Sequence, residues 1–169
     1  KGAGYELTIR ELARITIEES DNTALNGVQE IISPYVSPTS SKSAYGALDV
    51  EFSDTEQTNL RLSARSYSSF LKCLNFACYV STDSSQQIME YLTHSTDGAS
   101  NKIRKYIPNT VEIAHKIGVT GNETQADCGV VFVTNRNYVL CVMLNEEEDK
   151  GSEVIAQLSK KIYDYVDGL

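Results

Sequence analysis

Glu19-Ser20-Asp21-Asn22-Thr23 lies where one amphipathic stretch ends and the next begins. Its central triplet places a hydroxyl, a carboxylate and an amide within one turn of chain. In a tight helix–helix connection, Ser20 and Asn22 can point into a cleft while Asp21 caps the following helix or braces the loop. The same residue types are also the best N-caps, so taken alone the triplet reads as plain capping. A short motif gains weight only from its context.

On the N-terminal side, Thr8-Ile9-Arg10-Glu11 has the form of a capping box. Ile9, Leu12, Ala13 and Thr16 then follow helical spacing as far as Ser20, with Ile15 widening the face. On the other side, Ala24, Leu25, Val28, Ile31 and Ile32 outline a second buried face that Pro34 closes. Residues 33–62 show no sustained period and are rich in Ser, Thr, Asp and Gly. They read as a long packed surface loop bearing carboxylates, pinned by the apolar members of Ala47 to Phe52.

Helical spacing returns in Tyr67, Phe70, Leu71, Leu74 and Cys78. A shorter helix is predicted from near Ser84 with Ile88, Tyr91 and Leu92 inward, and another from Asn101 to Tyr106 before Pro108. The period then changes to that of strands. Val111–Lys116, Gly129–Thr134 and Tyr138–Leu144 are predicted to pair antiparallel, the last two turning across Asn135-Arg136-Asn137. Glu146 to Asp149 reads as a solvated acidic turn, after which Ser152 is expected to cap a last helix with Ile155, Leu158, Ile162 and Val166 on the sheet. Three strands and one helix make a thin layer. The expected arrangement is therefore an α/β (α+β) fold, with a helical layer and an antiparallel sheet flanked by a C-terminal helix. One domain over 1–169 is expected, incomplete at its N-terminal side, with 1–108 mainly helical and 109–169 forming the sheet and final helix.

The 169 residues are long enough for a real core, with 41% hydrophobic and 22% charged side chains. A net charge of −8 with dispersed Lys and Arg argues against nucleic acid or an anionic membrane surface as partner. No apolar run reaches the length of a membrane span. The chain opens on Lys1, so a targeting signal is not legible in it. Cys73, Cys78, Cys128 and Cys141 fit no zinc spacing. A helix running through Cys73 and Cys78 would point them to different sides, and a turn at Arg136 would leave Cys128 and Cys141 neither opposite nor on one face. All four are expected to be buried thiols, with no metal or cofactor.

A second stretch completes a pattern. Ala114-His115-Lys116-Ile117-Gly118 closes a strand ahead of a hairpin and a terminal helix. Taken with Ser20-Asp21-Asn22, this resembles the penicillin-recognising serine hydrolases, in particular their class A β-lactamase-like branch. Those enzymes carry Ser-x-x-Lys, Ser-Asp-Asn and Lys-Thr/Ser-Gly in that order. Arg104 to Pro108 and Asp127-Cys128-Gly129-Val130-Val131 also fit the family's pattern. The resemblance implies a β-lactam or D-alanyl-D-alanine-type peptide as substrate, acyl-enzyme chemistry, an extracytoplasmic location and no cofactor. It implies that Ser20 relays a proton to the leaving nitrogen and that Lys116 supplies positive charge and tunes the relay. Asn22 would hold the substrate's amide, Gly118 would let its backbone approach, and the Val119 N–H would belong to the oxyanion hole. His115, on the opposite face from Lys116, is expected to be structural.

Three departures qualify the match. No Ser-x-x-Lys precedes Ser20, and Ser69-Phe70-Leu71-Lys72 falls on the wrong side of the triplet, inside a helix. The nucleophile is thus expected outside this chain, in an N-terminal segment that would be its partner. Ile117 stands where the family has a hydroxyl residue, with Thr120 as a possible substitute. The loop lacks Glu-x-x-Leu-Asn; Asp49, Glu51, Asp54 and Glu56 are candidate bases, Glu56 best placed. A non-catalytic relative binding cell-wall peptide or a protein partner is the alternative to an enzyme. A plain α/β domain with coincidental triplets is the third reading.

Overall fold

The computed structural model describes residues 6–37, 46, 51–52, 60–96, 99–121 and 123–169, with the backbone alone for 51–52 and 60–61. Helix α1 (Ile9–Glu18) starts on the predicted capping box, Thr8 accepting from the Glu11 amide while the Glu11 carboxylate receives the Thr8 amide. Helix α2 (Asn22–Ile32) passes into a 3-10 turn, Ser33–Tyr35, that includes Pro34. Strands β1 (Glu51–Phe52) and β2 (Leu60–Arg61) form a separate antiparallel ribbon. Helices α3 (Ala64–Asn75) and α4 (Thr82–Thr93) follow, capped by Ser63 and Ser81. The main sheet then runs β3 (Glu112–Thr120), β4 (Thr124–Phe132) and β5 (Tyr138–Asn145), antiparallel in the order β3-β4-β5, before helix α5 (Glu148–Asp167).

Strand alternation divides the sheet between two cores. One face carries Ile113, Val131, Leu140 and Val142 against Ile155 and Tyr163 of α5. The other carries Ala114, Cys128 and Val130 against Leu71 and Leu74 of α3 and Met89 and Leu92 of α4. The fold is thus a helical layer, an antiparallel sheet and a C-terminal helix, as expected. Among the described residues, β3 and β5 are the outer strands of this sheet.

Buried Asp127 ties three segments together. Its carboxylate takes the Ile103 amide at 3.0 Å and faces His115 Nδ1 at 2.9 and 3.1 Å. Gly129 sits directly opposite His115 in the ladder, where a β-carbon would come within 2.5 Å of the His115 Cβ. Only glycine lets the imidazole lie across β4 to reach Asp127. His115 is accordingly buried and structural.

Several expectations need correcting. The helix expected from Asn101 to Tyr106 does not form; Asn101 ends a 3-10 turn at Ala99–Asn101, and the following residues make i→i+3 turns, because the Ile103 amide goes to Asp127 and not to a helical carbonyl. Strand β3 continues past Lys116 to Thr120 and turns at Gly121 (φ +61). Ser152 does not cap α5. That helix starts at Glu148, where Glu148 and Asp149 suit the positive end of the helix dipole, and Ser152 is buried inside it. Ile9, Leu25, Ile31, Ile32 and Leu158 are exposed, contrary to their assignment to inward faces.

The cysteines differ most. The β4–β5 hairpin turns earlier than Arg136: the Arg136 amide bonds to the Val133 carbonyl, with Asn135 at φ 62. This register pairs Val131 with Tyr138 and brings Cys128 directly opposite Cys141, and the two form a disulfide. Cys73 and Cys78 are thiols as expected, but Cys78 is exposed. It lies beyond the end of α3, so the helical argument for separating it from Cys73 does not apply.

Candidate active site

The Ser20-Asp21-Asn22 triplet does two jobs in its connection. Asp21 is the N-cap of α2, its Oδ1 accepting the Ala24 amide at 2.7 Å. That carboxylate is therefore committed to the backbone, as capping chemistry requires. Ser20 has φ 52, a left-handed conformation that costs a residue with a β-carbon roughly 1–2 kcal/mol. Such strain persists only where the surroundings fix it, and here it turns the Ser20 side chain towards the sheet. The end of α1 is fastened by Thr96, whose amide and hydroxyl both bond to the Glu18 carbonyl, at 2.8 and 3.1 Å.

Lys116 comes from the middle of β3, on the face that packs against the helical layer. Its Nζ donates to the Ser20 Oγ, joining residues 96 positions apart in sequence. The two are partly buried and line a cavity of about 360 Å³. Thr16, Ser20, Asp21, Asn22 and Leu25 form its helical wall, and Lys116, Ile117, Gly118 and Val119 form the β3 wall. A pocket of this size is within the range of about 300–1,000 Å³ used for small ligands.

The structure thus brings Ser20, Asn22, Lys116, Gly118 and Val119 to one cavity between the helical layer and the edge of β3. Gly118 and Val119 are exposed there, the latter 48%. Ile117 also lines the cavity and brings no hydrogen-bonding side chain to it. Thr120 is not among the lining residues. Ser69 and Lys72 are exposed on α3 and likewise do not line it. Glu56, Asp49 and Asp54 lie outside the described residues, as does the side chain of Glu51.

Sequence reasoning overlooked Thr16 and Leu25. Thr16 lies near the end of α1, and its hydroxyl bonds back to the Leu12 carbonyl at 2.8 Å. Leu25 was assigned to a core face, yet it is 37% exposed and faces the cavity. Among the described residues, no group of three or more His, Cys, Asp or Glu side chains could hold a metal ion. No described helix is long and apolar enough to cross a membrane.

Solved structures share this fold. A β-lactamase from Chitinophaga pinensis superposes with a TM-score of 0.79 at 19% identity, covering 95% of this chain and 66% of that one. A class A β-lactamase representative from Bacteroides cellulosilyticus gives 0.81 at 18% identity, covering 96% and 65%. An ancestral class A β-lactamase gives 0.79 at 22% identity, covering 96% and 67%. The chain thus spans about two thirds of the length of these structures, and the likeness is one of fold. No curated protein matches the sequence. The family match is independent of the superpositions: it runs over residues 1–166, and this chain belongs to the beta-lactamase enzyme family.

Proposed function

We propose that this chain is part of a serine hydrolase that acts on β-lactams or D-alanyl-D-alanine-type peptides through an acyl-enzyme, with the nucleophile supplied from outside residues 1–169. The observation that carries this reading is the hydrogen bond from Lys116 to Ser20 in the wall of a ligand-sized cavity. A charged ammonium has donors only. Lys116 therefore occupies a lone pair of Ser20 and leaves the serine's own O–H to donate into the cavity.

When a nucleophilic serine attacks the substrate carbonyl and the C–N bond breaks, Ser20 gives its proton to the departing nitrogen. Lys116 steadies the charge that develops on Ser20 and attracts the substrate carboxylate. Asn22 holds the substrate's amide, Gly118 admits its backbone, and the Val119 N–H donates to the oxyanion. None of the nineteen residues ahead of Ser20 makes a Ser-x-x-Lys pair, and this reading assigns the nucleophile to another part of the protein. Residues 1–169 would then form one domain with that segment. The Cys128–Cys141 disulfide supports an extracytoplasmic location, because disulfides persist in oxidising compartments.

Ile117 favours a second reading. It removes the hydroxyl that would bond the substrate carboxylate, and a relative that only binds cell-wall peptide or a protein partner could dispense with that bond.

The test is to incubate the full-length protein with a fluorescent penicillin and run it on a denaturing gel. The expected result is a covalent band that persists, because the loop has no Glu-x-x-Leu-Asn base to activate water. Ser20→Ala and Lys116→Ala should each slow labelling by about 10²-fold or more, the usual range for a lost proton-transfer group. Reversible binding without a covalent band would move the assignment to the second reading. A label mapped to Ser69 would overturn both. Rapid loss of the label would assign the base role to a loop carboxylate, Glu56 first.

A further inference from the structure

Helix α3 ends in a motif that brings two cysteines together. The Cys78 amide bonds to the Cys73 carbonyl at 2.8 Å, and the Ala77 amide bonds to the Leu74 carbonyl at 3.1 Å. Ala77 is in the left-handed conformation, at φ 53. These 6→1 and 5→2 bonds with a left-handed residue between them define a Schellman C-cap. In that motif an apolar contact between the side chains of the first and sixth residues is frequent. Here those positions are Cys73 and Cys78.

Hydrogen bonding with the Cys73 side chain raises the Cys78 thiol above its ordinary value. The ring of Tyr79 stacks on Phe70 of α3 with centroids 6.1 Å apart, holding the segment after the helix against it. Cys78 is exposed and Cys73 half-buried, so one thiol meets solvent and the other stands behind it. A protein that carries one disulfide already is compatible with an oxidising setting.

We propose that Cys73 and Cys78 are a redox-active dithiol that closes to a second, intramolecular disulfide across the C-cap of α3. The oxidant is a small-molecule disulfide of the glutathione class. Cys78 is the entry point because it is the exposed thiol: the small fraction present as thiolate attacks one sulfur of the oxidant, the S–S bond breaks, and one thiol departs with the proton Cys78 released. Cys73, as thiolate, then attacks the mixed disulfide at the Cys78 sulfur and expels the second thiol. Two cysteine thiols are oxidised by two electrons, one external disulfide is reduced to two thiols, and both protons leave with them.

The experiment treats the folded protein with oxidised glutathione, blocks remaining thiols with iodoacetamide under denaturing, non-reducing conditions, and maps tryptic peptides by mass. Cleavage after Lys72 and Lys102 leaves both cysteines on one peptide, separate from those bearing Cys128 and Cys141. The expected result is loss of both alkylatable thiols from that peptide, with its mass about two hydrogens below the dithiol form. Reduction before alkylation should restore two alkylation sites. In Cys78→Ser, Cys73 should be recovered alkylated or as a glutathione adduct. A doubly alkylated peptide from the oxidised wild type, a stable glutathione adduct, or chains linked through Cys78 would overturn the proposal.

Discussion

Ser20 shows how one residue can hold a cost that its neighbours do not share. Asp21 has the extended backbone of an N-cap and Asn22 opens α2, while Ser20 alone of the three adopts φ 52. Glycine would adopt that conformation without strain, so a serine there is present for its hydroxyl. Comparing Ser20→Ala with Ser20→Gly separates the two effects, since both remove the bond to Lys116. Alanine keeps the left-handed penalty of roughly 1–2 kcal/mol. Glycine removes it at an entropic cost of about 0.5–1 kcal/mol. The glycine variant should therefore be about 0.5–1 kcal/mol more stable than the alanine variant by urea denaturation, with equal loss of penicillin labelling. A glycine variant about 0.5–1 kcal/mol less stable than the alanine variant would show that the backbone at Ser20 is not strained. Ser20 and Lys116 were both legible in the sequence, because each stands in a short motif of fixed residue types. Thr16 and Leu25 carry no motif; only packing brings them to the same cavity.

At the scale of elements, legibility followed the range of the interactions. Helices α1 and α2 could be read from capping residues and a 3.6-residue period, which are local. The β4–β5 register depended on a single turn. The tight turn lies at Val133–Arg136, earlier than the Asn-rich centre suggested, so a different set of residues faces across the hairpin. Moving the pairing in this way makes Cys128 and Cys141 opposite neighbours, and a sequence alone does not weigh Val133 against Asn137 as the turn's boundary. The same hairpin places Tyr138 at the start of β5, with its hydroxyl buried and without a hydrogen-bond partner. Burial, and then the nearby Tyr163, push the Tyr138 phenol up from its ordinary value of 10.0 to about 12. The unfolded chain releases this proton near pH 10, while the folded protein holds it to about pH 12. Stability should be level below pH 10 and fall as pH rises towards 12. Tyr138→Phe removes both the unpaired hydroxyl and the titration. Its stability at neutral pH should equal the wild type or exceed it by up to about 1 kcal/mol, with a smaller alkaline loss. A loss of more than about 1 kcal/mol at neutral pH would mean that the hydroxyl is bonded.

Across the whole molecule, the candidate site belongs to the seam between the helical layer and the sheet, while α5 supports the sheet from behind. Leu71 of α3 and Ile155 of α5 are both fully buried, but they belong to separate cores on opposite faces of that sheet. Truncating Leu71 to alanine should cost about 2–5 kcal/mol, and Ile155→Val about 0.5–1.5 kcal/mol. With no shared partners in either core, the double variant should equal the sum within about 0.5 kcal/mol, as measured by urea denaturation. A coupling above about 1 kcal/mol would show that β4, packed on both faces, carries strain through the sheet. The two substitutions should also differ at the site. Lys116 projects from the face of β3 that meets the helices, so loosening α3 disturbs the layer against which Ser20 and the cavity wall are set. Ile155→Val leaves that layer intact. The rate of penicillin labelling by the full-length protein should therefore stay at the wild-type value in Ile155→Val and fall in Leu71→Ala. Equal loss in both would mean that the sheet's position, and not the seam, controls the approach of Lys116 to Ser20.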